Sequence, residues 1–423
     1  MRKFVLCSVT LSLVVCLGGY ASAQQAWTWE AVRARFEQNN PTLKAGALGV
    51  EESKAQEVSA YLRPNPTLTL SADGTQIAPY QGSWKPFAGT SESPGISYLH
   101  ERQGKRELRL ESAKEGTQIV ESGRADLERT LLFNLRGAFV CTLQAKAVLQ
   151  LARDDLEYYD HVLQISRDRF GAGDIAQIDL DRLELQRVQY ESDVQSAEVE
   201  LRTAKIQLLS LLNDRAAVDQ FDVTGPFVFN DILPSREECR QAALNTRPDL
   251  KAAVQAVTKA QTDAKLAFAD GSTDPTLSAW YTHNSSNNNP FAINTLGVSV
   301  SVPLRIFDRN QGEKRRTQID VARSERLRDA AEAGVLADVD SGYAIMQSTL
   351  VLLRPYKSKY LQQSTRVRDT VAFAYQHGGA SLLDFLNAES EYRNVQLGYI
   401  SLVAAYLSSA NQLNLAVGRE VVQ

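Results

Sequence analysis

Four short stretches of the chain alternate apolar with polar residues, and the long stretches between them repeat with a helical period. In "PTLTLSA", Leu68 and Leu70 share one side while Thr67, Thr69 and Ser71 share the other. "GISYLHE" sets Ile96, Tyr98 and His100 against Ser97 and Leu99. "PTLSAWYTH" sets Leu277, Ala279 and Tyr281 against Thr276, Ser278, Trp280 and Thr282; "LGVSVSVPL" sets Val298, Val300 and Val302 against Ser299 and Ser301. A period of two marks a strand with one apolar and one polar face. Strands are therefore expected at 66–73, 95–101, 275–283 and 296–304. Elsewhere Leu127, Leu131, Leu135, Phe139 and Leu143 fall four apart, on one stripe of a helix, and no proline interrupts Lys105–Phe170. Long helices are expected at 105–171, 175–213, 311–376 and 381–418, the third kinked by Pro355. Shorter helical stretches cover Thr28–Leu62 and Ser235–Phe268, each broken near its first third by Pro41 or Pro248. A helix of about 65 residues spans roughly 100 Å. That exceeds a compact domain, so the helices must pack lengthwise as antiparallel coiled coils. The fold class is mainly α with a small β part.

The pattern occurs twice. "RFGAGDIAQIDL" at Arg169–Leu180 and "AYQHGGASLLDF" at Ala374–Phe385 superimpose at an offset of 205. Phe170 falls on Tyr375, Gly173 on Gly378, Asp179 on Asp384, Leu180 on Phe385 and Glu184 on Glu389, without a gap as far as Asn213. "NNPTLKA" also resembles "TRPDLKA", and "NPTLTL" resembles "DPTLSA", at slightly larger offsets. Turn, proline and strand signals recurring in one order indicate an internal duplication, with repeats at 24–225 and 226–423. The connector Asn213–Glu238 carries the breakers Gly225-Pro226 and Pro234. Each glycine turn reads as a helix reversal. "DIAQ" at Asp174–Gln177 and "SLLD" at Ser381–Asp384 have the spacing of capping boxes that start the returning helices. A second reading gathers Gly173, Asp179, Gly378 and Asp384 at one end of a tube, where rings of aspartate would favour cations. The two readings are compatible.

The chain's end and composition set the compartment. Arg2 and Lys3 precede "FVLCSVTLSLVVCLGG", and "ASA" at Ala21–Ala23 is a cleavage site, so 1–23 is expected to be a signal peptide. The alternatives are an uncleaved anchor, for which the apolar run is short against a span of about 20 residues, and lipidation at Cys16, which lacks a preceding small residue. No later run has the length and apolarity of a membrane helix. An exported chain is then either soluble or a β-barrel. Paired strands with long polar loops, "DGTQIAPYQGSWKPFAGTSESPG" and "NSSNNNPFAIN", favour the outer-membrane barrel. Four strands cannot close alone, so other chains must supply the rest. A formal net charge of −4 gives no support to nucleic-acid binding. Cys141 and Cys239 remain after cleavage, either bridged or as free buried thiols.

Candidate chemistry is sparse. The chain has no zinc motif, G-x-S-x-G, P-loop or C-x-x-C. His100, His161, His283 and His377 are scattered, and Met346 is the only methionine after Met1, which gives no support to soft-metal ligation. His377 reads as a solvated turn residue. No enzyme, cofactor or metal site is expected. A passive duct accounts for the apolar strand faces, which a periplasmic adaptor or scaffold would leave unused.

This layout resembles the TolC family of outer-membrane efflux proteins across essentially the whole mature chain. The turns Gly173–Asp179 and Gly378–Asp384 are similar to that family's "G-x5-D" tips. "LRPNPTLTL", "GKRELR" and "SVPLRIFDRNQGE" are similar to the branch serving heavy-metal exporters of the cobalt–zinc–cadmium type. The resemblance implies a homotrimer with a 12-stranded outer-membrane barrel continued by a periplasmic helical tunnel. It also implies a periplasmic adaptor and an inner-membrane proton-driven resistance-nodulation-division pump as partners. Better-known members carry a second aspartate three residues beyond the tip aspartate of the second repeat. Here that position is Asn387, while the first repeat has Asp181, which leaves one ring, at Asp384.

Overall fold

The computed structural model describes residues 26–284 and 290–422; the expected leader at 1–23 lies outside them. The described elements run α1 (Trp29–Asn39), α2 (Pro41–Tyr61), β1 (Thr67–Asp73), β2 (Ser91–Leu99), α3 (Lys105–Ala172) and α4 (Gln177–Leu211). The second half repeats the order with α5 (Arg236–Thr246), α6 (Pro248–Asp270), β3 (Thr276–Asn284), β4 (Asn294–Ser301), α7 (Gln311–Pro355), α8 (Leu361–Gln376) and α9 (Leu382–Val417).

The two short helical stretches break where the prolines require it. Pro41 and Pro248 each take the first position of a new helix, where the missing N–H costs nothing. Asn40 caps α2 by accepting from the amides of Thr42 (2.9 Å) and Leu43 (3.0 Å). At 68 residues, α3 is about 100 Å long and continuous. Its counterpart is not. Pro355 ends α7, the five residues Tyr356–Tyr360 form a π turn, and α8 follows. Proline has no N–H to return to the preceding turn, and the wider π turn absorbs the mismatch.

The strands form one antiparallel sheet in the order β1-β2-β3-β4. Leu68, Ile96, Ala279 and Val298 line up across it, and Thr67, Ser97, Ser278 and Ser299 line up on the opposite face. The apolar face is bare: Leu70, Leu296 and Val298 are each more than 70 % exposed. β1 and β3 fall within a residue of expectation, while β2 (Ser91–Leu99 against 95–101) and β4 differ more. β2 starts at Ser91 rather than 95, because the breaker pair Pro94-Gly95 lies inside it, with Pro94 opposite Leu70. β4 runs Asn294–Ser301 rather than 296–304, because Pro303 cannot donate to a ladder.

The helices carry the core. One apolar cluster joins α5, α7 and α9 around Val339, Met346, Leu353 and Tyr406; another joins α1, α3 and α4 around Phe36, Leu135 and Leu208. Sheet and helices meet at the turns that open α3 and α7. Lys105, 3 % exposed, donates to Asp274 Oδ2 (2.5 Å) and to the Ser272 carbonyl (3.1 Å). Arg109 forks onto Glu101 at 2.5 and 2.8 Å. The residue that caps the long helix at this corner is left-handed in both repeats, Gly104 (φ 64°) and Asn310 (φ 60°), and Gln103 before Gly104 is left-handed as well (φ 60°). "GKRELR" and "RNQGE" thus encode the corner between strand and long helix.

Candidate functional site

The far ends of the two long hairpins lie together. Arg169 of α3 donates to the Tyr375 carbonyl of α8 (2.8 Å), and one apolar cluster unites Leu180 and Leu183 with Tyr375, Leu382 and Phe385. Both turns use the same hydrogen bonds. Gly173 (φ +87°) donates to the Phe170 carbonyl and Asp174 to that of Arg169; Gly378 (φ +73°) donates to Tyr375 and Gly379 to Ala374. This is a helix stop closed by a left-handed residue, a conformation that glycine adopts without a Cβ clash.

The restarts differ. Ser381 and Asp384 form a complete capping box: the Asp384 amide donates to Ser381 Oγ (3.2 Å) and the Ser381 amide to Asp384 Oδ2 (3.1 Å). Hydrogen bonds from the Ser381 hydroxyl (2.6 Å) and amide hold the exposed Asp384 carboxyl below the usual carboxylate range. The expected box at Asp174–Gln177 does not form. Helix α4 is capped by Ala176, which has no side-chain acceptor, and Gln177 turns instead to Asp181 (2.7 Å). Asp179 sits in the first turn of α4, half-buried, and Asp384 in that of α9.

Above the tips lies a feature the sequence reading missed. Glu389 of α9 is 3 % exposed, and its Oε1 finds no protein partner. Burial pushes its carboxyl up to about 7, and the nearby Asp155 of α3, also buried, is pushed up to about 6. Around them stand Arg368 over the rings of Tyr392 (4.0 Å) and Tyr158 (4.7 Å), and Arg393, which donates to Asp193 (2.6 Å) and covers Tyr190 (4.8 Å). Tyr159 and Tyr190 stack at 4.5 Å. Groups from α3, α4, α8 and α9 therefore meet here and tie the two hairpins together. The helical stripe around Glu389 could have suggested burial; the cross-hairpin neighbours could not be read from one chain's periodicity.

Comparisons with known proteins decide the family. The sequence profile described as "Outer membrane efflux protein" matches residues 32–214 and again 239–419. The chain belongs to the outer membrane efflux protein family. Among its relatives is the cobalt-zinc-cadmium resistance protein CzcC of Cupriavidus metallidurans, 21 % identical over 93 % of this chain and 90 % of that protein. Another is the pyoverdine export outer membrane protein OpmQ of Pseudomonas aeruginosa, 25 % identical over 90 % of this chain and 82 % of that protein. The solved CusC channel has the same fold, with a TM-score of 0.77 at 20 % identity, covering 92 % of each chain.

Membership in this family makes the chain a passive duct rather than an enzyme. No described helix is long and apolar enough to cross a membrane, and the bare apolar surface is on the sheet. The remaining candidates fall as follows. Gly173, Asp179, Gly378 and Asp384 are brought to one end of the molecule. His377 follows α8, its Nδ1 2.8 Å from the Phe373 carbonyl. Cys141 is exposed and Cys239 buried, both free, so the expectation of burial fails for Cys141. Among the described residues no cluster of His, Cys, Asp and Glu could hold a metal.

Proposed function

We propose that this chain is the outer-membrane exit duct of a tripartite efflux assembly. Three copies close a barrel from four strands each, and the helical hairpins continue it as a tunnel into the periplasm. The observation that carries this reading is the open sheet. Its outer face is apolar and exposed, its inner face bears hydroxyls, and its edges β1 and β4 are unpaired within the chain. Such a sheet has no stable use in water and closes without edges only in an oligomer. A proton-driven inner-membrane pump supplies the energy, and a periplasmic adaptor joins it to the duct. Gly173, Asp179, Gly378 and Asp384 form the periplasmic tip, with Asp384 as a negative ring at the mouth.

The cargo we favour is heavy-metal cations. The relatedness to CzcC over almost the full length and the corner motifs near Gly104 and Asn310 support this choice. OpmQ, at similar identity, keeps organic cargo as the second reading. Deleting the gene and measuring growth inhibition by zinc, cobalt, cadmium and copper beside dyes and antibiotics tests both. Sensitivity to metals supports the metal assignment; sensitivity to organic compounds alone overturns it and leaves the duct. A water-soluble monomeric mature chain would overturn the duct itself.

The gate reading has its own test. Asp384→Ala and Ser381→Ala both break the capping box, but only the first removes a charge. Asp384→Ala should lower cation selectivity in planar bilayers, and Ser381→Ala should not. Equal effects would leave Asp384 as a helix cap only.

A further inference from the structure

The hydroxyl-bearing face of the sheet carries one large aromatic side chain. Trp280 stands in direct register between Gly95 on β2 and Gly297 on β4. A Cβ on Gly297 would lie 2.3 Å from the indole Cε2, and one on Gly95 3.0 Å from the Trp280 Cβ. The indole thus lies across Gly297, and the two glycines leave the space it occupies. It is 37 % exposed. Its strand neighbours on this face are hydroxyl residues such as Ser97, Ser278 and Ser299. By alternation, the only charged strand residue on this face is Asp73, at the end of β1.

We propose that Trp280 forms a stacking station for aromatic organic cations inside the barrel. The inference rests on the duct reading, which turns this face toward the lumen. Three chains then present three indole faces at one height in a wall whose other strand residues are mainly serine and threonine. An indole face attracts a soft cation through its ring quadrupole, and more strongly when water is displaced. A hydrated metal ion keeps its water shell and gains little. A planar or ring-bearing organic cation gains both stacking and charge attraction. The competing explanation is that the indole only covers two glycines and stabilises the sheet.

The full-length channel in planar bilayers, with tetraphenylphosphonium as blocker, separates these. Wild-type conductance should be blocked, and Trp280→Leu should raise the half-blocking concentration by about tenfold. Trp280→Phe keeps a ring over Gly297 and should raise it by no more than about threefold. Trp84→Leu, in the loop between β1 and β2, should leave it unchanged. Block of the Leu variant at the wild-type concentration overturns the proposal and leaves the duct intact. If the Leu variant does not assemble, wild type decides: tetraphenylphosphonium must block at a lower concentration than tetrabutylammonium, which has no rings, and equal block overturns the proposal. A wild-type protein that forms no conducting pore overturns the duct reading and this inference with it.

Discussion

Glu184 and Glu389 occupy the same place in the two repeats and live in opposite surroundings. Glu184 lies at the surface of α4 and pairs with Arg167 at 3.0 Å, both about half exposed. Glu389 is buried on α9 with one oxygen unpaired. The same contrast runs along both hairpins. The first has one unbroken 68-residue helix and an uncapped return; the second has a helix broken at Pro355 and a return with a complete capping box. A duplicated sequence has been divided into a continuous strut and a segmented arm. Each hairpin contributes a buried carboxylate to the space between them, Asp155 from the strut and Glu389 from the arm.

The largest effects should come from the shared core of the tips. Phe385, fully buried and stacked on Tyr375 at 5.1 Å, corresponds to Leu180, which is 7 % exposed. Phe385→Ala should cost about 3–5 kcal/mol, with Leu180→Ala toward the lower part of a range of about 2–5 kcal/mol. Thermal unfolding of the detergent-solubilised protein checks the order. A larger loss at Leu180 would mean that the strut, not the arm, organises the tip.

The next effect is pH-dependent. Burial raises Glu389 to about 7 from its ordinary 4.5, so the folded tip holds a proton that the unfolded chain releases. The stabilising contribution of that protonated carboxyl is complete below about 4.5 and is lost as pH rises through about 7. Asp155 adds to the trend in the same direction, while Arg368 and Arg393 oppose it. Protection factors at the start of α9, taken relative to the intrinsic exchange rate at each pH, should therefore be higher at pH 5 than at pH 8. Glu389→Gln should flatten this dependence and, at pH 8, stabilise the tip by about 1–3 kcal/mol. An unchanged pH profile in the variant would remove Glu389 as its source. Glu184→Gln should change neither, since that carboxylate is already solvated.

Much of this was legible in the sequence. Strict alternation around Leu68, Leu277 and Val298 located the strands, because a one-residue slip would turn every side chain to the wrong face. The offset of 205 located the paired tips, and their backbone hydrogen bonds repeat at that offset. What was missed depends on tertiary partners. Pro94-Gly95 looked like a breaker, yet it lies within a strand where Gly95 makes room beside Trp280. Glu389 looked like any charged helical residue until α3 and α8 closed over it. The pairing of Arg393 with Asp193 across the hairpins likewise depends on which helices pack together. Cys141 lay in a helical pattern, and its exposure depends on which face the neighbouring helices leave open.

Smaller effects test the caps. Ser381→Ala removes the acceptor for the Asp384 amide and should cost about 1 kcal/mol. The expected first-repeat box at Asp174–Gln177 was misplaced by two residues, and Asp174→Ala should leave stability unchanged, since α4 draws no side-chain cap from it.

The smallest change sharpens the comparison most. At the offset of 205, Ala176 corresponds to Ser381 and Asp179 to Asp384. The backbone at Ala176 is already in cap geometry (φ −78°, ψ 151°), close to that of Ser381 (φ −77°, ψ 160°). Only the hydroxyl is missing. Ala176→Ser should let the Asp179 amide donate to the new oxygen and let Asp179 reach back to the amide of residue 176, adding about 0.5 kcal/mol. Exchange protection in the first turn of α4 should rise while α9 stays as it was. If α4 gains nothing, Asp179 is held by other contacts at the tip, and the difference between the repeats lies in packing rather than in one lost hydroxyl.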